Sequence, residues 1–355
     1  MGRVVEYGRD FDFSRPFFDQ FQELQLQAPR IALLTKNSIN SEYTNHSDNN
    51  KNCYLSFSTF DSENIMYGTN VWAASKDCMD LHLVRRTEGG AERSYKCIDT
   101  SRIYHSQFCR LLRDSSDCFY CFDCRGCSEC FLSSNLRNKK HYFMNQPFSK
   151  EEYRRKVEEF NLGSYKVREE LYERWIDLIK RQSIHRFAMI EKSTGVTGNM
   201  IFNSKNSYNI FDADKAEDTR YGIICPDVKD TMDGYHYCFV CELNYEVHAL
   251  IHAYDVLFTH LSYDNFHIQY CDSCHNNENL FGCVSLKSKK YCIFNKQYSE
   301  DEYGALRAKI IEHMRKTREY GEFFPSQLSP FGYNETQGNI YMPLTKDEAL
   351  SKGFK

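Results

Sequence analysis

Five cysteines recur at every third residue in CFYCFDCRGCSEC: Cys118, Cys121, Cys124, Cys127 and Cys130. Thiolate sulfur binds zinc, and paired CxxC motifs are a common frame for a tetrahedral site. A second group, Cys271, Cys274 and His275 in CDSCH, offers similar atoms. These eight residues are the candidate metal ligands, with zinc the candidate ion. CDSCH also satisfies the C-x-x-C-H pattern of haem attachment. Its counterpart CFDCR carries Arg125 in place of His275, so the match reads as a by-product of a repeat. The competing reading assigns the cysteines to the interior, because Cys is small and apolar enough to fill a narrow core. That reading is favoured, with no cofactor. A zinc site kept through duplication keeps its ligands together, yet Asn277 stands for Cys127, Leu280 for Cys130, and Cys283 for Ser133. In straight β geometry, residues three apart face opposite ways. The spacing therefore suits a chain that turns corners.

Other chemistry finds less support. With 16 Cys and 12 His, chance Cys–His pairs are expected, and no protease signature accompanies them. His248 and His252 are four apart in EVHALIH, without the Glu of a zincin helix. Asp80, Asp114, Asp233 and Asp264 recur, which leaves a carbohydrate-active enzyme as an alternative. RNKK at 137–140 and KSKK at 287–290 are basic turns at matching places. The whole chain has a net charge of -4, so they do not make a strong nucleic-acid signal. No GxGxxG, Walker A or GxSxG motif occurs.

The elements that must position these residues come from a chain of 355 residues, 41% hydrophobic, long enough for a sizeable core. No apolar run approaches a membrane span. The start, MGRVVEYGRDFDF, has no apolar signal region, so a cytoplasmic or virion location is expected rather than export. That expectation makes reduced thiols the default.

The chain also contains itself twice. FLSSNLRNKKHYFMNQPFSKEEY at 131–153 overlays FGCVSLKSKKYCIFNKQYSEDEY at 281–303 with an offset of 150 and no gap. Farther upstream the offset drifts to 153 and 154. Inside the first half a shorter period appears: Cys97, Cys109 and Cys121 are 12 apart, and Cys53, Ile65 and Cys78 run at 12 and then 13. Short apolar bursts separated by Asn, Asp, Ser and Gly suit strands and tight turns. The fold expected is mainly β, a duplicated β-solenoid of short-strand rungs with capping or bridging α-helices.

Residues 1–36 read as an N-terminal helical cap, with Ser14 as helix cap and Pro16 in the first turn. Residues 37–148 and 195–298 read as the two repeat units. Bridging helices fall in 149–194, and 299–355 forms a helix and an extended docking tail. Ser149 with Glu152, and Ser299 with Glu302, are capping-box pairs. Val167, Leu171, Trp175 and Leu178 form a helical apolar stripe.

The phrases YGRDFDFSRPFFDQF, NSEYTNHSDNNKNCYL, KSKKYCIFNKQYSEDEY and EYGEFFPSQLSPFGYNETQ span nearly the whole chain. They resemble an uncharacterised cysteine-rich repeat family of uncultivated bacteria and environmental phages. Members of that family often carry flanking zinc-ribbon-like segments, which this sequence lacks, so no zinc function carries over. The resemblance supplies no reaction and no catalytic residue. The rigid, elongated surface of a solenoid favours a non-enzymatic structural or protein-binding role, and the phage association implies one version of it, a capsid-decorating or tail component of a virion. A protein partner or self-assembly is expected. Metal binding through Cys118–Cys130 and carbohydrate chemistry remain the alternatives.

Overall fold

The computed structural model describes residues 4–72, 74–84, 89–217, 223–226, 248–251, 257–263, 265–336 and 338–355. The expectation of a mainly β, duplicated β-solenoid is corrected. The chain is mixed α/β, 24% helical and 35% strand, with one large, mostly parallel sheet of 12 strands and smaller sheets. The helices are not only end caps. They supply much of the apolar interior, so the architecture is sheet against helix. Two compact units form: Ala32–Arg186, called unit 2, and Met1–Ile31 together with Phe187–Lys355, called unit 1. The N-terminal helix therefore belongs with the second half of the chain.

The parallel pairing explains the 12-residue period. Cys97 pairs in register with Cys109, Cys118 with Cys130, and Leu280 with Cys292. The last pairing in each unit is antiparallel: Lys140–Phe143 with Gln146–Pro147, and Lys290–Ile293 with Lys296–Gln297. A three-residue step runs within the period. Asn49, Asn52, Leu55, Ser58, Asp61, Asn64 and Tyr67 all have φ between 44° and 56°, in the left-handed region. Asn and Asp tolerate that conformation better than other side chains do. After each such residue the next one turns inward. Asn50, Cys53, Ser56, Thr59, Ser62, Ile65 and Gly68 are all buried.

Two of the four longer helices carry side-chain caps legible in the chain, and two do not. α1 spans Phe17–Gln27, α2 Lys150–Glu158, α3 Tyr165–Asp177 and α4 Glu300–Lys316. The capping boxes at Ser149 with Glu152 and Ser299 with Glu302 both form. Ser164 precedes α3. α1 differs from its expected cap. Ser14 bonds Asp12, Pro16 stands at the cap position, and the N–H groups of Phe17 and Phe18 donate to the carboxylate of Glu319 at 2.9 and 2.8 Å. A buried carboxylate on the first-turn amides also meets the positive end of the helix dipole.

In unit 1, Phe17, Phe21 and Leu24 of α1 and Ile310 and Met314 of α4 close over Tyr270, Phe281 and Phe294. In unit 2, Tyr153 of α2 and Leu171 and Trp175 of α3 close over Phe108, Tyr120, Phe131 and Phe143. The predicted stripe is thus the buried face of α3. The tail is not mainly extended. It folds into short turns at Ser326–Leu328 and Tyr333–Glu335 and helices at Gly338–Tyr341 and Lys346–Ser351.

Candidate functional site

The three-residue step answers why cysteines recur every third residue. Each stands at an inward position of unit 2, and Cys118, Cys121, Cys124, Cys127 and Cys130 share one core with Cys97 and Cys109. Cys121 shares its thiol proton between the carbonyls of Phe119 and Cys130, both at 3.5 Å. Cys118 and Cys124 repeat that pattern, reaching the carbonyl two residues back and the one nine residues on. In unit 1, Cys274 does the same with Asp272 and Cys283. Inward serines bond alike: Ser106 donates to Tyr104 and accepts the N–H of Cys118.

The mismatches between the two halves follow from this chemistry. Ser133 accepts the N–H of Asn145 at 3.1 Å, and its counterpart Cys283 accepts that of Asn295 at 3.5 Å. Asn277, which replaces Cys127, donates to Leu286 and accepts from Lys289. The inward position asks for a small group that serves corner carbonyls and amides. Ser, Cys and Asn all do so.

The thirteen described cysteines outside Cys225, Cys238 and Cys241 are free and buried. Burial pushes the thiols of Cys109, Cys271 and Cys283 well above the ordinary range. Hydrogen bonding with Cys121 does the same for Cys118. Within the row, the hydrogen bonds of Cys124 and Cys130 favour the thiolate of Cys127, and burial opposes it. Among the described residues, no three His, Cys, Asp or Glu side chains are grouped to hold a metal ion. In CDSCH, Cys271 and Cys274 are inward and buried, while His275 follows on the outward side, half-buried. The motif's two kinds of ligand are therefore not brought to one point.

The carboxylate alternative is not assembled either. Asp114 pairs with Arg102 and Arg125. Asp80 follows Met79, which is in register with Tyr95, and so belongs to a different column. Asp233, Asp264, His252, Cys238 and Cys241 lie outside the described residues. The basic turns are tied down: Arg137 pairs with Asp123, Lys139 lies over the Tyr142 ring, and Lys290 pairs with Glu278.

One histidine meets a hydroxyl closely. His46 Nδ1 lies 2.7 Å from Ser58 Oγ, and burial lowers its pKa to about 4. The imidazole is neutral at pH 7. The unfolded chain takes up this proton near pH 6.5, before the folded chain does. Stability from this residue is full above pH 6.5 and is lost as pH falls toward 4. For a half-buried ring the loss is on the order of 2 kcal/mol. Thermal melts at pH 7 and pH 4.5 should show a smaller drop for His46→Gln than for the parent. Equal drops would remove His46 as the cause.

A feature that spacing arguments had passed over lies on the outer face of unit 2. Two columns of side chains run across the parallel strands at one side. One contains Tyr54, Met66, Met79, Tyr95, Phe119, Phe131 and Phe143. The neighbouring column contains Tyr43, Leu55 and Tyr67, then Asp80 and Lys96, then Phe108, Tyr120 and Leu132. Toward the C-terminal end both columns are buried beneath α2 and α3. At the other end they are bare: Tyr43 is 64% exposed and Tyr67 48%, with Tyr54, Leu55, Met66 and Met79 exposed beside them. Tyr54 makes edge contacts with both Tyr43 and Tyr67, at 5.5 and 6.0 Å. The signal was present as YL at 54–55 and MY at 66–67, 12 residues apart.

No helix among the described residues is long and apolar enough to cross a membrane. No protein-family model matches the chain, and no curated protein matches it. Among solved structures it is similar to one described as "putative acetyltransferase from Desulfovibrio desulfuricans G20". The two are 10% identical over 86% of this chain and 74% of that chain, with a TM-score of 0.15, a likeness that carries no argument about fold or chemistry.

Proposed function

We propose that the protein is a non-enzymatic structural component that self-associates through the bare end of the aromatic face of unit 2. One observation carries this reading: the same two columns that α2 and α3 cover at one end are uncovered at the other. Contiguous apolar surface of this kind marks an interaction site. The occupant is a second copy. The edge of the face is the row Asn40, Asn52 and Asn64, bonded to one another and continued by Asp77, with Arg93 beside it, so the edge carries both signs of charge and a second copy can meet it without net like-charge repulsion. Burying the six exposed side chains on both copies removes on the order of 1,000 Å², the lower end for a specific contact. The resemblance to phage-borne sequences favours a virion setting, as a decorating or tail component.

Sedimentation equilibrium of the purified chain tests it. A dimer is expected at micromolar concentration, and the double variant Tyr54→Glu/Met66→Glu should be monomeric with an unchanged circular dichroism spectrum. A parent that stays monomeric at high micromolar concentration, or a dimer indifferent to the double variant, sinks this reading.

A further inference from the structure

The duplication places one hairpin in each unit, and the two are dressed differently. In unit 1, Phe294 follows the strand Lys290–Ile293, and its side chain is 0% exposed. Phe11 and Phe17 cover it, with ring centroids 5.7 and 5.2 Å away. The N–H of Arg9 donates to the Phe294 carbonyl at 3.1 Å, so the covering segment is partly held by its main chain. Phe17 also lies on Gly282, where a Cβ would stand 3.1 Å from its ring. The basic residues of that segment, Arg9 and Arg15, both pair with Glu23 on α1.

In unit 2, 150 residues earlier, the hairpin has the same backbone. Met144 and Asn145 have φ of 47° and 61°, against 45° and 64° for Phe294 and Asn295. Leu132 stands at the place of Gly282 and Met144 at the place of Phe294. Here, among the described residues, no segment of Phe11 and Phe17 type lies over Met144, while Leu132 is buried beneath the helices. Met144 is 44% exposed, and a cavity of ≈ 530 Å³ opens between Leu132, Met144 and Asn145 on the sheet and Glu173, Arg174 and Asp177 of the helical segment, with Asp177 already paired to Arg181. That size and an apolar floor with a few polar groups suit a ligand site.

We propose that this cavity captures an extended segment of a partner protein with the chemistry of residues 9–17. It would set an aromatic ring against Met144 and a cationic side chain against the exposed Glu173. The occupied copy shows the mode: a ring on the hairpin, a main-chain bond to its carbonyl, and a base paired to an acid on the covering helix. Main-chain pairing with pockets for selected side chains is a recurring mode of peptide recognition. The segment comes from a partner, because the chain's own Phe11 and Phe17 are already buried in unit 1. The cavity is separate from the bare aromatic face, so self-association through that face can fail while this site stands.

The probe is a fluorescein-labelled peptide of residues 7–18, YGRDFDFSRPFF, titrated with the full chain and read by anisotropy. Saturable binding is expected. It should weaken at least tenfold when both ring positions, those of Phe11 and Phe17, are alanine in the peptide. It should weaken by a similar factor in the chain variant Met144→Asp, whose melting temperature should not change because the side chain is exposed. Where Met144→Asp does not fold, Glu173→Lys on the exposed side of α3 replaces it, again with weaker binding expected. Absence of saturable binding at millimolar peptide overturns the proposal. So does binding that neither variant affects, which would mean exchange into unit 1. Loss of self-association on Met144→Asp would assign the cavity to a second copy and equally overturn it.

Discussion

Phe17→Ala is expected to destabilise unit 1 by about 3–5 kcal/mol, the usual range for emptying a fully buried phenyl site. Phe17 has no exposed surface and meets the rings of Phe21, Tyr270, Phe281 and Phe294. Its backbone N–H is held by Glu319 from the far end of the chain. Truncation removes the ring on which α1, α4 and the sheet converge. A loss of that size is a large part of the stability of an ordinary domain. The readout can separate the two units, because Trp72 and Trp175 both lie in unit 2. In urea, circular dichroism of Phe17→Ala should begin to fall well before tryptophan fluorescence changes. Leu26→Ala, on the same helix but 76% exposed, should move the midpoint by less than about 0.5 kcal/mol. Unchanged melting of Phe17→Ala would show that α1 does not close this core.

The thiols should be protected by several orders of magnitude. Ellman's reagent added to the native protein at pH 8 is expected to modify the described cysteines at least ~1,000-fold more slowly than after denaturation, since reaction must wait for opening. Two effects act together. The sulfurs are out of reach, and at Cys78, Cys109, Cys271, Cys283 and Cys292 burial lowers the fraction present as thiolate, the reactive form. Burial pushes Cys78 up to about 11 and Cys292 up to about 12, so neither ionises appreciably at pH 8. A chelator should not alter the native rate, and elemental analysis on the same sample checks the metal content directly. Fast native modification, or protection that a chelator abolishes, would return Cys118–Cys130 to the role of metal ligands.

Much of the local structure was legible. Ser149 with Glu152 and Ser299 with Glu302 announced helix starts because a capping box is a contact between residues three apart. The cap of α1 was not, because Glu319 lies about 300 residues away and only the folded chain brings it there. The 12-residue period and the duplication were visible as spacings. The fold class drawn from them was not right, because spacing of strands says nothing of how much core the helices supply. Phe17, Trp175 and Ile310 carry that share. The spacing of three had pointed away from a straight strand and toward a chain that turns corners, and a left-handed residue at every third position makes those corners. Tyr43, Tyr54 and Tyr67 passed unremarked because tyrosines spread along a chain become a surface only once 12-residue register lines them up.

The left-handed residue at each third position has a consequence for the gene. A deletion or insertion of one codon would turn every following inward side chain outward until register was recovered. Length can change freely only where the extra chain leaves the sheet. The pairing of Ile65 with Cys78 spans 13 residues, that of Met79 with Tyr95 spans 16, and that of Ile190 with Ile201 spans 11. These irregular intervals fall between blocks that keep 12, such as Cys97 to Cys109 and Cys118 to Cys130. Natural variants of this chain should therefore differ in length by bursts at a few such joints, and hold a fixed count of residues between them.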